Sequence, residues 1–269
     1  MTTRGTQETL DRFAQRLDDL KLPVVAKELG TRLVQAGFGD AVPIVLDVLD
    51  IEADERRNRR VARLRQASKL PLGKTFDTLD QRQLPRGVAH KLEELAQGSF
   101  AEQAVNVLAF GLPGVGKTHA ACALGHALVE RGVTVLFTPT YRLVQELLAA
   151  KRNLELPRAL RKLDLFDVVI LDDIGYVQQS SDEVEVLFTL MAERYERRSM
   201  LITSNLVFSQ WDRIFKNPMT TAAAIDRLVH HSVILEFDCP SYRTPKAGNA
   251  TARPLAPARK SKRRPAEKR

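Results

Sequence analysis

The chain has 269 residues, 44% of them hydrophobic, enough to bury one full core and a small accessory domain. It contains no run of eighteen apolar residues, and its first seventeen residues alternate charged with apolar side chains, so neither a membrane span nor a secretory leader is expected and the chain is expected to be cytoplasmic. Cys122 and Cys239 have no Cys or His partner at zinc spacing and read as small core residues, which argues against a disulfide framework or a metal site built on them, while the net charge of +8 raises the question of nucleic acid.

In chain order, Leu10, Phe13, Leu17 and Leu20 recur at helical spacing. Pro23 opens a second helical pattern through Val25, Leu29 and Leu33, which Gly37 and Gly39 end. After Pro43, the spacing of Ile44, Val48 and Ile51 starts a third helix that runs into an arginine-rich segment, residues 55–65, before Pro71 stops it. Residues 1–69 therefore read as a small all-helical domain for DNA or a protein partner. On its last helix Arg56, Arg59, Arg60 and Arg63 fall at three- and four-residue steps, gathering guanidinium groups on one side. Such a stripe suits phosphates; with Glu52, Asp54 and Glu55 one turn earlier, ordinary ion pairs on a solvated face are the other reading.

Residues 70–104 read as linker and lead-in, broken by Pro71, Gly73 and Pro85. Apolar runs at residues 105–110, 133–138, 168–171, 200–203 and 233–237 then alternate with helical stretches, of which residues 117–131 are the clearest. Five such strands predict an α/β fold, a parallel sheet flanked by helices, over residues 105–243. Residues 244–269 hold nine Lys or Arg against the single acid Glu267, which accounts for the whole net charge and leaves 32 basic and 32 acidic residues before them. Four prolines and almost no large apolar residue predict a disordered basic tail there, either a solubilising arm or a non-specific phosphate contact.

Gly111, Leu112, Pro113, Gly114, Val115, Gly116, Lys117 and Thr118 match the eight-residue P-loop pattern between a predicted strand and a predicted helix, the setting that phosphate binding requires. Glycines let the backbone amides wrap a phosphate, and the following helix adds its positive end. ATP with Mg2+ is the expected ligand, Lys117 meeting the β- and γ-phosphates and the Thr118 hydroxyl binding magnesium. The strand at residues 168–171 ends in Asp172 and Asp173, placing carboxylates at the sheet's carboxyl edge. Asp172 is expected to hold magnesium and Asp173 to orient or deprotonate the attacking water, with slow hydrolysis expected of a residue one methylene shorter than glutamate. Asn205, at the end of the next strand, is expected to hydrogen-bond the water or the γ-phosphate; an ordinary turn is the alternative.

Leu22-Pro23, the basic stretch 53–66, Lys74-Thr-Phe-Asp-Thr-Leu79, residues 106–119, Leu171-Asp-Asp-Ile-Gly-Tyr176, Arg194-Tyr-Glu196, Ile202-Thr-Ser-Asn205, Asp226-Arg-Leu-Val-His-His231 and Ser241-Tyr-Arg243 together resemble the IstB-like ATPases of insertion sequences, relatives of the DnaC helicase loader within the P-loop AAA+ class. The resemblance runs from about residue 20 to 243. It implies an ATPase that binds duplex DNA with little sequence choice, forms a homo-oligomer on it and recruits a transposase. It also implies that Arg227, on a helix expected to begin near Thr220, is an arginine finger for a neighbouring subunit, such fingers contributing about three to five orders of magnitude in rate. A surface arginine paired with Asp226 is the local alternative. Arg243 is implied to be a second sensor arginine acting on its own subunit's nucleotide. His119, within the matched nucleotide motif, and His230 and His231 read as packing or hydrogen-bonding residues, without a metal or nucleophile arrangement around them, and Phe208 and Trp211 read as core. A helicase loader, with the same ATP site, and a small-molecule P-loop kinase are the competing functions.

Overall fold

The computed structural model describes residues 3–176, 180–215 and 218–241. Arg243 and the basic tail lie outside the described residues, as does the side chain of Phe208.

Three helices come first: α1 (Thr3–Asp19), α2 (Pro23–Gln35) and α3 (Ala41–Ser68). Pro23 occupies the first turn of α2, where its missing N–H costs nothing. Phe13 and Leu17 of α1, Ala26 of α2 and Val42 and Leu46 of α3 form a separate small core. The register of α3 differs from the sequence reading. The helix starts at Ala41 with Pro43 inside its first turn, and Ile44, Val48 and Ile51 are 68%, 60% and 69% exposed. Two apolar stripes run along this segment, and spacing alone does not say which one meets α1. The 28 residues of α3 span about 42 Å, so its far end reaches the second half of the molecule, where Val61 and Leu64 pack on the larger core.

Residues 70–104, expected as linker, carry α4 (Arg86–Leu95) and the short α5 (Ser99–Glu102). Val88, Leu92 and Leu95 bury one face of α4 in the core beneath the sheet. The sheet comprises β1 (Asn106–Gly111), β2 (Val135–Pro139), β3 (Val168–Asp172), β4 (Ser199–Ser204) and β5 (Ser232–Phe237), each within two residues of the expected run. All four pairings are parallel and the order is β2-β3-β4-β1-β5. Alternate residues feed two cores. Val107, Ala109, Val168 and Ile170 point to α6 (Lys117–Glu130) and α4, while Leu108, Phe110, Val169 and Leu171 meet α7 (Thr140–Arg152), α8 (Leu156–Leu163), α9 (Ser181–Arg194) and α11 (Pro218–Val229). Trp211, before the four-residue α10 (Asp212–Phe215), is fully buried in the second core.

A buried guanidinium stitches this architecture together. Arg194, at the end of α9, donates to the carbonyls of Leu163, Phe166, Asp167 and Ser199, tying the carboxyl end of α8 to the amino ends of β3 and β4. Burial drives its pKa down to about 10, which still leaves it charged at neutral pH. Among the described residues no helix is long and apolar enough to cross a membrane.

Candidate active site

The strand order decides which loops meet. With β4 inserted between β1 and β3, the carboxyl ends of those three strands stand side by side, bringing Gly111, Asn205 and Asp172 to one edge from sites far apart in sequence. Gly111 sits where the chain turns off β1 against β5: a Cβ there would come 2.7 Å from the Phe237 carbonyl oxygen, closer than any side chain allows. Gly116 takes φ +98 as it caps α6, so the loop's last turn also needs glycine.

Lys117 is 7% exposed, and its Nζ donates to the carbonyls of Gly111 at 2.7 Å and Leu112 at 2.8 Å and to Asn205 Oδ1 at 2.7 Å. Asn205 Nδ2 in turn donates to Asp173 Oδ1 at 3.0 Å. The Asp173 amide donates to Thr203 Oγ1, and the Thr203 hydroxyl donates to Asp172 Oδ1, both at 2.8 Å. From the other flank, the Thr140 hydroxyl donates to the Asp172 carbonyl at 3.0 Å. One hydrogen-bonded chain therefore links the P-loop ammonium, the β4 amide and both β3 carboxylates. Asp173 adopts φ +61, a left-handed conformation that aspartate tolerates better than most side chains. Burial, and next the Asp172 carboxylate, push Asp173 above the ordinary carboxylate range, against the pull of Lys117 and Asn205.

These groups open onto a cleft of about 360 Å3. Pro113, Gly114, Gly116, Lys117, Thr118 and His119 line its floor with Asp173, Thr203 and Asn205. Val115 is buried beneath the loop, Leu112 is exposed and contributes its carbonyl, and Asp172 stands one hydrogen bond behind the wall, through Thr203. The remaining wall comes from Lys74, Thr78, Leu79 and Asp80, none of which the sequence reading placed at the site. His119 Nε2 joins this lip to the P-loop, at 3.0 Å from Thr78 Oγ1 and 3.1 Å from the Thr75 carbonyl oxygen. The sequence signal for it is the Lys74-Thr-Phe-Asp-Thr-Leu79 match, which by itself says nothing of position. An ammonium, loop amides at a helix start, a hydroxyl and oxygen-only carboxylate donors fit a magnesium-bound polyphosphate, a hard cation with a hard anion.

Other expected residues lie elsewhere. Arg227, on α11, does not line the cleft; its guanidinium lies over the Phe188 ring at 4.5 Å, and Nη1 is buried without a hydrogen-bond partner among the described residues. Arg56 is paired with Glu52 at 2.6 Å and reaches the Leu20 carbonyl, Arg59 lies 3.8 Å from Glu52 and from Glu55, and Arg60 donates to the Gly132 carbonyl. Arg63 is exposed and has neither hydrogen bond nor ion pair among the described residues. His230 and His231 are not simple packing residues: both are exposed, and the fold sets Glu196 beside them, a grouping absent from their sequence spacing.

The model of the family described as IstB-like ATP binding protein matches residues 15–250. An insertion-sequence ATP-binding protein of Sinorhizobium fredii is 40% identical over 253 residues, covering 92% of this chain and 85% of the relative. The ATP-binding protein of insertion sequence IS21 from Pseudomonas aeruginosa is 42% identical over 183 residues, 68% of each chain. That of IS5376 from Geobacillus stearothermophilus is 32% identical over 87% of this chain and 94% of its own length. Among solved structures, the replication initiator DnaA bound to AMPPCP and single-stranded DNA superposes with a TM-score of 0.54 at 16% identity, covering 64% of this chain and 52% of that one. DnaI superposes with a TM-score of 0.51 at 21% identity, over 63% and 90%. At these identities the structural matches speak for the fold, a P-loop AAA+ sheet with flanking helices.

Proposed function

The chain belongs to the family of IstB-like ATP-binding proteins, and from that premise we propose that it hydrolyses ATP, assembles on duplex DNA in its ATP-bound form and recruits a transposase. The observation that carries the reading is the continuous hydrogen-bonded chain from Lys117 through Asn205 to Asp173, with Thr203 joining Asp172. In this reading Lys117 neutralises the β- and γ-phosphates, and Thr118 with Asp172 holds Mg2+, which supplies charge neutralisation on the phosphates when bound. Asp173, its basicity raised by burial, takes the proton of the attacking water. Asn205 touches both Lys117 and Asp173, so it senses whether the γ-phosphate has drawn the ammonium away.

Residues 1–69 serve as the DNA- or partner-binding domain, 105–243 as the ATPase core and 244–269 as a basic arm. Arg63, exposed and unpartnered among the described residues, is the guanidinium of the stripe most open to a phosphate. The names of the three curated relatives above, each an insertion-sequence ATP-binding protein, favour a transposition helper over a helicase loader.

Sedimentation with duplex DNA, with and without ATP, tests the reading. Wild-type chain forms ATP-dependent complexes whose log affinity falls linearly with log salt, and Lys117→Ala forms none. Arg63→Ala keeps ATP-dependent assembly with a slope shallower by about 0.9 per chain if it removes one phosphate contact. ATP-independent or salt-insensitive binding would sink the proposal.

A further inference from the structure

We propose that Glu196, His230 and His231 form a binding site for a divalent transition-metal ion of the zinc class, separate from the nucleotide cleft. One ligand atom from each lies within 4.8 Å of the others. One pair, His231 Nε2 and Glu196 Oε1, stands 3.5 Å apart. For a tetrahedral ion with bonds of about 2.0–2.1 Å, neighbouring ligand atoms stand roughly 3.4 Å apart, so small rotations of these exposed side chains complete the set. Two imidazoles and one carboxylate are a borderline-soft donor set, suited to Zn2+ and unlike the all-oxygen set that suits Mg2+.

The backbone that carries the three ligands is anchored on both sides. The His231 carbonyl accepts from the Asn106 amide at 2.8 Å, the Asn106 side chain donates to the Leu228 carbonyl, and the Ser232 hydroxyl donates to the Val229 carbonyl. Together these fix the end of α11 against the start of β1 and β5. Glu196 lies in the turn between α9 and β4, which the buried Arg194 holds in place. Its backbone takes φ +55, an uncommon conformation for glutamate. The imidazoles of His230 and His231 meet edge to face with centroids 4.5 Å apart, which keeps the two rings packed together.

An ion at this point clasps the end of α11 to the α9–β4 turn. It would therefore stiffen the helix that carries Arg227, one turn before the histidines. An ordinary surface ion pair between His231 and Glu196 is the competing account, and it takes up no metal.

Zinc binding to the untagged full-length chain separates the two. Titration in millimolar Mg2+, which occupies the oxygen-donor cleft, uses competition with a chromogenic chelator and, in parallel, thermal denaturation. The wild-type chain takes up about one tight Zn2+ and its Tm rises with zinc. His230→Ala combined with His231→Ala abolishes both responses, and Glu196→Gln weakens binding by at least the roughly 10- to 100-fold that loss of an outer-shell partner costs. Circular dichroism confirms the fold of each variant; if the double variant misfolds, Glu196→Gln decides. No zinc uptake, or uptake unchanged in the variants, overturns the site. Neither result touches the nucleotide reading, because none of the three residues lines the cleft.

Discussion

Asp173 sets two demands against each other at a single position. Its left-handed backbone and its hydrogen bond from Asn205 suit a short polar side chain, whereas its burial beside Asp172 penalises the charge that a base must carry. The conformation offers a reason for aspartate where many related ATPases use glutamate: a longer side chain gains nothing locally and tolerates φ +61 less well. Asp173→Asn keeps the shape, the left-handed preference and an acceptor for Asn205 while removing the charge. Hydrolysis should fall by at least about 100-fold, the lower end of what a general base contributes, with ATP still bound. The same variant should be more stable than the parent, and the difference should depend on pH. Below the ordinary carboxylate pKa of about 3.9 both folded and unfolded parent are protonated and the two proteins melt together. As pH rises, the unfolded parent loses its proton first, because the folded pKa is the higher one, so the parent loses stability relative to the variant until pH passes the folded value. Melting curves from pH 4 to 8 should therefore diverge upward. Curves that stay parallel would remove burial of charge as the cause.

The helix α3 carries the other informative conflict, between two apolar stripes at helical spacing. Val42 and Leu46 face α1, and Ile44, Val48 and Ile51 face solvent. Leu46→Ala should cost about 2–5 kcal/mol by opening a cavity, whereas Ile51→Ser should stay within about 0.5 kcal/mol, both measured by denaturant unfolding. Reversed effects would restore the face read from spacing. The example shows where the sequence becomes ambiguous: Ile44 and Leu46 are equally apolar, and only the partner helix chooses between them. The strands carry no such ambiguity, since a run such as Val168-Val-Ile-Leu171 is buried on both faces and needs no choice of side. The P-loop and the two aspartates were legible for a related reason, because their chemistry is confined to short contiguous stretches. What stays hidden is long-range. Thr203 and Asn205 reach Asp172 and Lys117 only because β4 inserts between β1 and β3, and Glu196 reaches His231 only because the same insertion brings the α9–β4 turn beside the end of α11.

At the scale of the whole molecule, the cleft is lined by the P-loop, Asp173, Thr203 and Asn205, with Asp172 behind Thr203, yet its described walls contain no arginine. Arg227 is held on Phe188 with part of its guanidinium unsatisfied, away from that cleft. If it completes a neighbour's site, two defects carried by different chains should repair each other. Asp173→Asn leaves a chain's ATP bound but uncleaved and its arginine intact, and Arg227→Ala does the reverse. Each variant alone should be inactive, and an equimolar mixture on DNA should regain up to about a quarter of wild-type hydrolysis, the share of junctions at which random assembly pairs an intact site with an intact arginine. The recovery should vanish on dilution, because it belongs to the junction and not to either chain. An Arg227→Ala protein that hydrolyses ATP normally by itself would confine the residue to packing on Phe188, and a mixture that stays inactive while both variants still assemble would require the arginine to act within its own chain.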